Sequence, residues 1–119
     1  MTDAPAKTGN NAEKLPKTAK VLLVDDEENI LRALQRVLRR EPWELTTASS
    51  GEDALEILAE QKFDLVISDA RMPGMDGPTL LAEIRRKYPW CIRILLTGYA
   101  DLTSTISAIN DGQIYRYIS

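Results

Sequence analysis

Three short apolar runs in this 119-residue chain each end in oxygen-bearing side chains. VLLV leads into Asp25 and Asp26, LVIS into Asp69, and ILL into Thr97. If these runs are parallel strands, their ends of one polarity gather on one sheet edge, where open α/β sheets bind ligands. The acids and the hydroxyl then converge on one site. Carboxylates held together repel one another unless a cation joins them. Hard oxygen donors suit Mg²⁺, which keeps several waters and is commonly shared with a phosphate. A carboxylate is also a nucleophile toward phosphorus. In such a transfer, positioning and charge neutralisation do most of the work, and the Thr97 hydroxyl can donate to a phosphoryl oxygen.

The elements that must position these groups alternate along the chain. KVLLVDD (20–26) has the unbroken apolar character of a strand buried on both faces. Residues 27–41 carry Ile30, Leu31, Leu34, Val37 and Leu38 at helical spacing, with Arg32, Arg36, Arg39 and Arg40 opposite and Pro42 as terminator. The alternation of residues 43–47 predicts an edge strand. Ser50 caps a second helix with Glu52 and Asp53 in its first turn, and Ala54, Leu55, Leu58 and Ala59 form its buried stripe. FDLVISD (63–69) is the next central strand. The loop ARMPGMDGP leads into a helix from Pro78 to about Tyr88. Ile92 to Leu96 form a further strand, Leu102, Ile106 and Ile109 space out a fourth helix, and Ile114 to Ile118 read as a fifth strand. A βαβαβαβαβ order predicts a parallel sheet with helices on both faces.

Composition bounds the rest. One domain fits this length, and residues 1–19, rich in polar residues, Pro and Gly, read as a flexible tail. The net charge of -3 gives no global pull toward nucleic acid or an anionic membrane, so direct nucleic-acid binding is not expected. No run approaches the ~20 apolar residues of a membrane span, and the start lacks a signal-peptide core. A single cysteine, Cys91, and no histidine exclude a disulfide framework and the His-based catalytic and zinc sites, which fits a cytoplasmic protein. Cys91, set beside Ile92, reads as a buried structural thiol. A P-loop nucleotide enzyme is excluded because GxxxxGK[ST] is absent.

VLLVDDEENI, ISDARMPGMDG and ILLTGYAD together resemble the receiver (REC) domain of bacterial two-component response regulators, from about Lys20 to the last residue. The resemblance implies a flavodoxin-like, doubly wound five-stranded parallel sheet of order 2-1-3-4-5. It implies that Asp69 accepts a phosphoryl group, in a Mg²⁺-dependent reaction, from a sensor histidine kinase, a phosphotransfer protein or a small phosphodonor. Asp26 matches the direct metal ligand, Asp25 the neighbour acting largely through water, and the backbone carbonyl of Arg71 the remaining protein ligand. Thr97 matches the switch hydroxyl and Tyr117 the switch aromatic. A receiver is a signalling switch that catalyses only its own phosphorylation and dephosphorylation, and it can form a homodimer.

In receivers an active-site lysine follows the fifth strand, three residues beyond the switch aromatic. Here that position would follow Ser119, so the expectation is a receiver over 20–119 cut short of its final helix, with a C-terminal output domain beyond. Arg116 cannot substitute, because four strand residues place it about 13 Å short. The ending AINDGQIYRYIS is similar to receivers fused to larger output regions, HD-GYP-type phosphodiesterases among them.

Other readings of these residues exist. Asp25 to Glu28 could be only the acidic start of a helix; the register of Asp69 and Thr97 favours the site. Met72 and Met75 read as loop packing. A receiver-fold binding module that never turns over phosphate is the principal alternative. A Mg²⁺-dependent aspartyl-phosphate phosphatase is weaker, since Arg71 stands where its second acid would be.

Overall fold

The first apolar run becomes a central strand because both of its faces are covered. In the computed structural model, which describes residues 15–97, β1 spans Lys20–Val24 and β2 Glu44–Ala48, while β3 spans Leu65–Asp69 and β4 Ile92–Leu96. All pairings are parallel, in the order β2-β1-β3-β4. Three helices alternate with them: α1 Glu28–Leu38, α2 Gly51–Glu60 and α3 Gly77–Lys87. The expected fourth helix, the fifth strand with Tyr117, and residues 1–14 of the tail lie outside the described residues. Among the described residues no helix is long and apolar enough to cross a membrane.

Strand alternation divides the core in two. Val21, Leu23, Leu65, Ile67, Ile92, Ile94 and Leu96 pack with Leu31, Leu34 and Leu38 of α1 on one face. Leu22, Val24 and Val66 pack with Ala54 and Leu58 of α2 and Leu80, Leu81 and Ile84 of α3 on the other. The strand order explains the split. The β1-to-β2 connection steps one way across the sheet and the later ones step the other way, and connections of one hand then place their helices on opposite faces. Direction reverses between β1 and β3, so the crevice at their carboxyl ends is the switch point where such sheets bind ligands.

Local signals set the boundaries. Ser50 Oγ accepts from the Asp53 amide at 3.0 Å and opens α2. Asp76 Oδ1 accepts from the Thr79 amide at 2.9 Å and opens α3, with Pro78 in its first turn. Sequence spacing overran α1: the helix ends at Leu38, not at residue 41, and the Glu41 amide turns back to the Leu38 carbonyl at 2.9 Å. The strand expected from residue 63 starts at Leu65, because Asp64 is diverted to a staple. Its Oδ2 accepts from the Lys20 amide at 2.8 Å while its own amide donates to the Lys20 carbonyl at 2.9 Å.

Candidate metal and phosphoryl-acceptor site

β1 and β3 are neighbours with Val24 opposite Ser68. One more residue along each strand brings Asp25 beside Asp69. Asp26 follows on the turn into α1, and one oxygen from each of Asp25, Asp26 and Asp69 lies within 4.8 Å of the others. Asp25 is buried, at 4% exposure, whereas Asp26 is exposed and Asp69 half-buried. The site thus has a buried floor and an open mouth.

Backbone donors hold the acids in place. Asp25 Oδ1 accepts from the Glu27 amide at 2.9 Å, and the Asp25 amide donates to the Ala48 carbonyl of β2 at 3.2 Å. Asp25 is therefore not the cap of α1; Glu27 occupies that position and makes no side-chain capping bond. Asp69 Oδ2 accepts from the Arg71 amide at 3.3 Å. Burial pushes the Asp25 carboxyl up to about 6; the negative charges of Asp69, Asp26 and Glu27 add to this, and the Glu27 amide opposes it. Without a cation the site strains toward protonation.

That donor set fits a hard divalent cation: clustered carboxylates, one pushed upward, open to solvent on one side. Asp69 stands opposite Leu96 across β3 and β4, so Thr97 comes one step further along the same edge, where it is exposed. Arg71 is exposed on the loop after Asp69, beside a shallow cavity of about 390 Å³ lined by Ala70, Arg71, Met72, Pro73 and Asp76. The fold thus brings Asp25, Asp26 and Asp69 together and sets Arg71 and Thr97 on their rim. Tyr117 lies outside the described residues.

Sequence reasoning assigned Met72 and Met75 to loop packing, which the structure bears out, and passed over the backbone closure beside them. Met72, only 8% exposed, joins the α2/α3 core, and the Gly77 amide closes the loop onto the Ala70 carbonyl at 3.1 Å. The spacing of the two methionines marked packing but not what they pack against.

A parallel sheet of order β2-β1-β3-β4 with carboxylates gathered at its switch point defines a doubly wound α/β domain with an acidic ligand-binding edge. The chain belongs to the response regulator receiver domain family, whose model matches residues 21–119. It is 43% identical over 94 residues to the response regulator protein FleR of Pseudomonas aeruginosa, a match covering 79% of this chain and 20% of that protein. The chain spans about a fifth of the length of the curated relatives it matches. Among solved structures, it is 51% identical to the signal receiver domain of an HD domain-containing protein from Pseudomonas fluorescens Pf-5 (TM-score 0.68; 86% of this chain and 82% of that one covered). It is 41% identical to the response regulator TrrA of Thermotoga maritima, solved in complex with Mg²⁺-BeF (TM-score 0.66; 76% and 79% covered). TrrA has also been solved with the histidine kinase ThkA (TM-score 0.64; 43% identity, 69% and 71% covered).

Proposed function

We propose that this receiver accepts a phosphoryl group on Asp69 and relays that event to an output or partner. The convergence of Asp25, Asp26 and Asp69 in a receiver-family chain carries the reading. A carboxylate oxygen of Asp69 attacks phosphorus, the bond from phosphorus to the donor's imidazole nitrogen or acyl oxygen breaks, and the donor leaves with that electron pair. Asp25, Asp26, Asp69 and the Arg71 carbonyl would hold Mg²⁺, which when bound neutralises charge between the acids and the incoming phosphoryl group. Thr97 donates its hydroxyl to a phosphoryl oxygen, and Tyr117 follows that movement as the switch aromatic. The phosphorylated form then favours one of two arrangements of the chain.

A sensor histidine kinase is the donor this reading favours, supported by the ThkA complex of the similar TrrA. The output is an HD-type region, supported by the 51% identity to a receiver from an HD domain-containing protein. Action in the bacterial cytoplasm is the setting that fits.

Beryllofluoride, a phosphoryl mimic, tests the acceptor. With Mg²⁺ at saturation it is expected to raise the thermal midpoint by about 5 °C or more. Asp69→Ala should abolish the rise. An equal rise in that variant, or none in the native chain, would contradict the reading.

A further inference from the structure

In the proposed site the loop from Asp69 to α3 presents the Arg71 carbonyl to the metal, yet Arg71 itself is exposed and its side chain makes no hydrogen bond to another described residue that would aim it. What fixes the loop lies further along. Residues 70–76 return toward the protein through Gly74, whose φ of 75° is open to glycine and strained for other residues. This reversal lets Met72 and Met75 both point inward, and both pack with the α2/α3 core.

Met75 rests on the first residue of α2. A Cβ added at Gly51 would lie 2.8 Å from Met75 Sδ and 3.0 Å from both its Cβ and its Cγ. The sulfur can swing aside. The Met75 Cβ cannot, because it is rooted in the loop backbone, so any side chain at Gly51 moves the loop itself. Glu52 flanks the same loop: its Oε2 would lie 3.4 Å from a Cβ at Gly74. The first turn of α2 is thus the wall against which the loop is set.

We infer that Gly51 and Met75 are positioning residues for the metal site: the bare Cα of Gly51 seats Met75, and the seated loop holds the Arg71 carbonyl where it completes the ligand set. This deepens the proposed function and rests on it. The contact links the metal site to the α2 end of the structure through one methionine. Sites of this kind tolerate displacements of only a few tenths of an ångström before affinity falls.

A double-mutant cycle read by Mg²⁺ calorimetry tests the inference. Gly51→Ala is expected to weaken Mg²⁺ binding about fivefold, by analogy with other supporting contacts of metal sites. The urea midpoint in EDTA should fall only slightly, because the loop gives way and alanine is the better helix former, so the loss of affinity is read on folded protein. In a Met75→Gly background, which removes the Cβ that cannot swing aside, the same substitution should change affinity less than about twofold. Phosphorylation by acetyl phosphate should return to the native rate once Mg²⁺ is saturating. Unchanged Mg²⁺ affinity in Gly51→Ala, or an equal loss in both backgrounds, would overturn the inference. Should the native protein itself show no Mg²⁺-dependent phosphorylation while Asp69→Asn behaves identically, the reading of the site falls, and this inference with it.

Discussion

Asp25 carries the clearest consequence at the scale of single residues. Its carboxyl titrates near 6 in the folded chain against 3.8 ordinarily, so between those values the folded state holds more proton than the unfolded one. Metal-free stability from this group is therefore fully present below pH 3.8 and is lost as pH rises through 6. Asp25→Asn keeps the oxygen that accepts from Glu27 but removes the charge. In EDTA at pH 7.5 it is predicted to be more stable than the native chain, by about 1–2 kcal/mol once solvent screening is allowed for. Urea titrations at pH 4 should show that gap closed, and with Mg²⁺ at pH 7.5 the native chain should gain stability that the variant does not. A gap independent of pH would place the strain elsewhere. Cys91 supplies the contrast: burial pushes its thiol up to about 12, and it is only 2% exposed. Mass spectrometry should find it unalkylated by iodoacetamide at pH 8 until denaturant is added; rapid native labelling would contradict its buried placement.

The helices and strands differ in how much each contributes. Leu34 is 1% exposed in the layer between α1 and the sheet, so Leu34→Ala should cost about 2–5 kcal/mol in urea unfolding. Ser50→Ala removes only the cap on α2 and should cost about 1 kcal/mol. Equal costs would mean that α1 is not the packed element described here. These same elements show what the sequence makes legible. The first four strand runs, the Ser50 cap and the α1 stripe are periodic or chemically marked, and the structure follows them. The end of α1 was not marked: Arg39 and Arg40 continue a helical composition, and no glycine signals the stop at Leu38. Asp64 looked like part of a strand because a side-chain staple leaves no periodic trace.

At the level of the whole molecule, the site exists because of sheet order. Residues 25 and 26 are far from residue 69 in sequence and meet it because β1 and β3 pair in parallel with Val24 opposite Ser68. That convergence could be argued from strand ends alone, since a parallel α/β sheet has one ligand-binding edge. The seating of Met75 on Gly51 could not, because it depends on the packing of a loop against a helix start rather than on a repeat. A switch also needs a consequence: where this receiver is joined to an output region, Asp69→Asn should abolish any change in output that follows addition of an acyl phosphate, while leaving the basal output intact. Persistence of that change in the variant would assign it to another residue. The proposed function turns on Asp69 taking the phosphoryl group with help from a divalent cation. Intact-mass spectrometry of the protein after incubation with acetyl phosphate reads this out. One phosphoryl adduct is expected with Mg²⁺, none in EDTA and none in Asp69→Asn; an adduct that survives either the chelator or the substitution would contradict the assignment of Asp69.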